Sequence, residues 1–70
     1  MAKAEIANQV RRLRFEHDEM TQQELADLAH CTRQTIIALE QQKYVPSLAL
    51  AFRIARAFGE PLESIFEYVG

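Results

Sequence analysis

The sequence predicts an all-α domain, a compact five-helix bundle formed by residues 1–70 as one unit. Three observations carry that expectation. Apolar residues recur three and four positions apart along most of the chain. Several of these runs open on a Thr or Ser suited to capping a helix. Two Gly and two Pro among 70 residues leave too few turn formers for a loop-rich or all-β chain. A chain of this length supports one small core with a net stability on the order of a few kcal/mol.

The elements follow in order. Ile6, Val10 and Leu13 make the apolar stripe of a first helix, from about Ala4 to about His17, with Arg11, Arg12 and Arg14 beside it. Asp18 and Glu19 end it, and Met20 plugs the entry to the next helix. Thr21-x-x-Glu24 is a capping box, in which the hydroxyl accepts from a first-turn N–H and the carboxylate reaches back to the cap. It opens a second helix over 22–29, with Leu25, Ala26 and Ala29 inward and Asp27 outward. Only His30 and Cys31 precede the next cap, Thr32, which opens a third helix over about 33–41 with Ile36 and Leu39 inward. Two helices joined so briefly must turn sharply, as in a helix-turn-helix. Residues 42–46 are a connection of ordinary length. Ser47 caps a fourth helix that runs to Phe58, where Gly59 suits the left-handed position that ends helices. Pro61 suits the first turn of a fifth helix carrying Leu62, Ile65 and Phe66.

Thr-Gln-Gln-Glu-Leu-Ala at 21–26 and Thr-Arg-Gln-Thr-Ile at 32–36 are followed by Lys43-Tyr44-x-Pro46-Ser47-Leu48, Leu50-Ala51-Phe52, Ile54-Ala55, Phe58-Gly59 and Ile65-Phe66-Glu67-Tyr68. In that order and spacing they resemble the phage-repressor-like helix-turn-helix family, the Cro or XRE class of bacterial regulators, and its small stand-alone members above all. The resemblance covers nearly the whole chain. It implies a lambda-repressor-like DNA-binding domain that regulates transcription on double-stranded DNA, most simply a repressor on a palindromic operator. It also implies a salt bridge from Arg14 to Glu40 that serves the scaffold. The chain departs from the family pattern at three places. His30 replaces the usual corner Gly, Gln41-Gln42 replaces a frequent Asn-Gly, and the connection before Thr21 is one residue longer near Glu19. A left-handed His30 costs roughly 1–2 kcal/mol, and either Gln42 takes that conformation at a small penalty or the turn differs there.

The candidate contact residues lie around the corner. Arg33 and Gln34 open the third helix, the end that enters the major groove in this motif; Arg matches guanine O6 and N7, and Gln matches adenine N6 and N7. Gln22, in the first turn of the second helix, is placed for a phosphate. Ile37 is either a thymine-methyl contact or a half-buried edge residue. Ala38 permits close approach and specifies little. Thr32 and Thr35 carry hydroxyls for phosphate, although Thr32 is first a cap worth about 1 kcal/mol. Lys43 and Tyr44 follow the third helix, where the family usually touches the DNA backbone; Lys43 supplies a point charge, and the Tyr44 ring has the alternative of packing on the core.

The net charge of −2 is unusual for a DNA-binding domain and predicts modest nonspecific affinity. The acidic balance supports an alternative, a protein-interaction module of the same fold, antitoxin-like or an anti-repressor partner. No glycine-rich phosphate loop, nucleophile motif or metal-ligand spacing is present, so neither an enzyme nor a cofactor or metal site is expected. A single cysteine, Cys31, and the lack of an apolar run near the roughly 18–20 residues of a membrane span point to a reduced, soluble, cytoplasmic protein. Cys31 itself is expected as a small core residue.

Self-association is expected on two grounds. One short recognition helix reads few base pairs, so the family usually binds two half-sites as a homodimer. Leu28, Phe52, Ile65, Phe66, Tyr68 and Val69 also exceed what so small a core can hold. The fifth helix and the tail, with Ile65, Phe66, Tyr68 and Val69, are the expected dimer surface, with Phe52 as an addition.

Overall fold

The computed structural model describes residues 5–70. Its elements are β1 (Ile6–Asn8), α1 (Val10–Glu16), α2 (Gln22–Ala29), α3 (Arg33–Glu40), α4 (Leu48–Phe58), α5 (Leu62–Ile65) and β2 (Phe66–Tyr68). Five helices are therefore present among the described residues, but the all-α expectation is corrected. β1 and β2 pair antiparallel, with Ile6 opposite Tyr68, Ala7 opposite Glu67 and Asn8 opposite Phe66. Ile6 thus lies on a strand, and α1 starts only at Val10. The expected start at Ala4 falls outside the described residues.

Asn8 explains the switch. Its Oδ1 accepts from the Val10 N–H at 3.1 Å, while its Nδ2 donates to the Leu39 carbonyl at 2.9 Å. One side chain therefore opens α1 and ties β1 to the end of α3. Extending the helix through Asn8 would forfeit both bonds and the ladder with β2.

The corners form as the sequence leads one to expect. Thr21 and Glu24 make both halves of the capping box. Thr32 accepts from the Thr35 N–H, and Ser47 from the Leu50 N–H. Left-handed backbone occurs at His30 (φ 57°), Gln42 (φ 62°) and Gly59 (φ 67°). Each is followed by a residue whose N–H returns to a carbonyl five positions back: Cys31 to Ala26, Lys43 to Ala38 and Glu60 to Ala55. The longer connection after α1 holds two more left-handed residues, Asp18 and Glu19, before Met20 donates to the Arg14 carbonyl at 2.9 Å. Arg53 adds a cap from another helix, its Nε donating to the Ala29 carbonyl at the end of α2 at 2.7 Å.

His30 has a simple test. Its left-handed φ is strained for a residue with a Cβ, so His30→Gly is expected to raise stability by about 1 kcal/mol in urea unfolding. Gln42→Gly should gain less. Gln42 clasps β1, with Nε2 3.3 Å from the Asn8 carbonyl it donates to, and glycine loses that bond. Equal gains at both positions would remove the clasp from the account.

Leu25, Ile36, Leu39, Ile54 and Val10 are fully buried and fill the centre between α1, α2, α3 and α4. Burying each such side chain stabilises the fold by about 1.5–3 kcal/mol. His17 closes the far end. Its Nδ1 lies 2.8 Å from the Leu13 carbonyl and its Nε2 2.9 Å from the Phe58 carbonyl, with the imidazole against the Phe58 ring. α5 is a single turn with Pro61 as its cap rather than its first residue. Among the described residues no helix is long and apolar enough to cross a membrane.

Candidate nucleic-acid interface

A single buried ion pair sets the position of the helix-turn-helix. Arg14 lies on α1 and Glu40 on the last turn of α3, and both side chains are nearly inaccessible. The Arg14 Nε and Nη2 both donate to the Glu40 carboxylate, the latter at 3.0 Å, in a two-pronged contact. The third guanidinium nitrogen donates to the Met20 carbonyl at 2.8 Å. The implied salt bridge is thus present and locks α1, the α1–α2 connection and α3 together.

The network extends to the contact surface. Gln22, in the first turn of α2, donates from Nε2 to Glu40 Oε1 at 3.2 Å. That holds the amide against α3 and leaves its second N–H for another acceptor. Gln22 and Arg33 line one crevice with Thr21, Gln23 and Glu19. Arg33 and Gln34 are exposed in the first turn of α3. The Thr32 and Thr35 hydroxyls lie 3.0 Å apart, so Thr32 acts as a cap and also engages Thr35. Ile37 and Ala38 are half-buried, while Lys43 and Tyr44 are exposed just beyond α3.

Three neighbours of this surface were absent from the expected contact set. Arg11, Phe15 and Gln41 line a second crevice with Gln22 and Ile37. The sequence holds a signal for two of them: Arg11 and Phe15 are four apart on α1, and Phe15 lies outside the apolar stripe set by Val10 and Leu13. Phe15 is exposed, and the Arg14 guanidinium lies 5.6 Å from the centre of its ring.

Charge is partitioned despite the net −2. Arg11, Arg33 and Lys43 are exposed on or beside the helix-turn-helix, and Glu40 is already matched by Arg14. Asp18, Glu24 and Asp27 gather around a different crevice beside His17 and Leu28. Glu19 is the carboxylate that shares the crevice of Arg33. Cys31 is half-buried; desolvation raises its thiol pKa, and the Arg53 guanidinium pulls the other way. Such a thiol packs rather than reacts.

The model of the helix-turn-helix family matches residues 12–65. The chain belongs to that family, in its Cro/XRE branch. The helix-turn-helix is similar to those of relatives in both archaea and bacteria. An uncharacterized HTH-type transcriptional regulator of Methanocaldococcus jannaschii is 49% identical over 63 residues, 90% of this chain and 94% of the relative. One from Methanothermobacter thermautotrophicus is 62% identical over 48 residues, 67% of this chain and 70% of its own. The Bacillus subtilis regulator YgzD is 41% identical over 61 residues, 87% of this chain and 91% of its own.

The expected dimer residues divide. Ile65 is corrected: at 1% exposure it is part of the helix-turn-helix domain's own core and cannot line a second surface. Phe66 is half-buried against that core, whereas Phe52, Tyr68 and Val69 are exposed. Leu28 is exposed as well.

Proposed function

We propose that this protein is a sequence-specific DNA-binding transcriptional regulator of the cytoplasm, acting as a repressor on a palindromic operator bound by a homodimer. The observation that carries the reading is the exposed first turn of α3, with Arg33 and Gln34 outward and Gln22 held beside it by Glu40. In this reading Arg33 and Gln34 read base edges, and Ile37 and Ala38 set the depth of approach. Gln22, Thr32, Thr35, Lys43 and Tyr44 meet the phosphate backbone, with Arg11 as an addition on the α1 side. Phe52, Phe66, Tyr68 and Val69 supply the surface between subunits. Repression follows most simply from occupying a promoter and excluding polymerase.

The acidic balance favours one second reading, a protein-interaction module that keeps the fold without the DNA role. A salt titration on promoter DNA separates the two. A regulator with about four phosphate contacts loses roughly a hundredfold in affinity between about 50 and 200 mM salt. Absence of binding even at the lowest salt would favour the interaction module.

A further inference from the structure

The two edges of the small sheet differ in what already occupies them. The ladder bonds fall at Gln9 with Ile65 (N–H to carbonyl, 2.9 Å) and at Val69 with Glu5 (2.7 Å). In the same register Ala7 and Glu67 exchange bonds, so the backbone groups of Ile6, Asn8, Phe66 and Tyr68 point away from the partner strand. On β1 that outer side is occupied at Asn8, whose carbonyl accepts from Gln42. On β2 the Phe66 N–H is also used, donating to the carbonyl of Leu62, the first residue of α5, and so closing that turn. Among the described residues, this leaves open on β2 the Phe66 carbonyl and both backbone groups of Tyr68, on a strand whose Tyr68 and Val69 side chains are exposed, and on β1 the backbone groups of Ile6, whose side chain is half-buried. An open edge of this kind accepts another strand.

We propose that β2 pairs with β2 of a second copy, antiparallel and centred on Tyr68, to make a four-stranded sheet across the twofold axis of a homodimer. The proposal rests on the homodimer in the reading above and names its contact. Two observations select the occupant and the register. With Tyr68 opposite Tyr68 of the second copy, each Tyr68 N–H donates to the other's carbonyl, and the Phe66 carbonyl accepts from the Gly70 N–H across the axis. Those are the groups left open on β2. The adjacent register, centred on Glu67, would call on the Phe66 N–H that α5 already uses. It would also set the two Glu67 carboxylates face to face, an unfavourable cross-strand pair. In the Tyr68 register Glu67 instead meets Val69 of the second copy. The edge is thereby complementary to itself under a twofold rotation.

The experiment combines sedimentation with amide exchange by NMR on the intact protein, across a dilution series. The Tyr68 amide is expected to exchange about tenfold or more slowly at concentrations where the dimer forms, and freely when dilute. The Glu67 amide, bonded within the monomer, should remain protected at both. Val69→Lys is expected to tighten the dimer and Val69→Glu to weaken it, each by about two- to thirtyfold, because symmetry doubles the contact with Glu67. A dimer with an unprotected Tyr68 amide would overturn the strand pairing while leaving the homodimer in place. A monomer at every concentration that still binds operator half-sites would overturn both the pairing and the homodimer, and would leave the DNA-binding reading standing.

Discussion

Glu40→Ala is expected to remove about 3–5 kcal/mol of stability, enough to unfold much of the population. Its carboxylate is buried and accepts from two nitrogens of Arg14 and from Gln22. Truncating it strands the Arg14 guanidinium with the Met20 carbonyl as its one remaining hydrogen-bond partner among the described residues. Leaving an uncompensated buried charge is what makes such a loss large. A domain of this size has on the order of a few kcal/mol in total. Arg14→Ala should cost a similar amount, for the converse reason. Replacing both with apolar side chains of similar size, Arg14→Met with Glu40→Leu, should recover most of the loss, since a buried pair often gains little over a packed apolar contact. Urea unfolding of the three variants measures this directly. Single losses below about 1 kcal/mol would place the pair among solvated surface bridges instead.

Arg33→Ala is expected to relax sequence preference at one or two base pairs by about 1–3 kcal/mol, with little change in stability. Arg33 is exposed at the opening of α3, and no hydrogen bond within the described residues holds it. Its guanidinium is therefore free to meet guanine O6 and N7. Lys43→Ala provides the contrast. Losing a point charge on phosphate weakens binding to all sequences alike and reduces the slope of log affinity against log salt by about 1 per subunit. Quantitative binding to a set of single-base operator variants distinguishes the two patterns. If Arg33→Ala weakened every variant equally, Arg33 would be a backbone contact and the base reading would fall to Gln34. The Glu40 and Arg33 variants also separate scaffold from surface: the first should lose DNA binding through unfolding, the second while fully folded.

Much of this was legible in the residues themselves. Capping is a local event, so Thr21, Glu24, Thr32 and Ser47 announce helix starts within a span of four residues, and the structure uses each of them. The left-handed positions were equally local: even with His30 and Gln42 in place of small residues, the tight corner demands that conformation. Helical spacing alone, however, read Ile6 as part of α1, because Ile6, Val10 and Leu13 also fit one face of a helix. The competing partner, Phe66–Tyr68, lies at the other end of the chain and leaves no local trace near Ile6. The same limit applies to Ile65, whose apolar side chain fits a core or an interface equally well until the packing around it is known.

The sequence by itself determined the helix starts, the sharp corner and the polar face that opens α3, because these depend on backbone and side-chain chemistry within one or two turns. Tertiary structure alone decided which polar groups spend their bonding capacity inside the molecule and which keep it. Gln22 is half committed to Glu40, Asn8 diverts the chain into a strand, and Tyr68 keeps its outward backbone groups unpaired among the described residues. Hydrogen-bond donors and acceptors are satisfied by whatever the fold brings within about 3 Å. That proximity is a property of the packed chain and not of any short stretch of it.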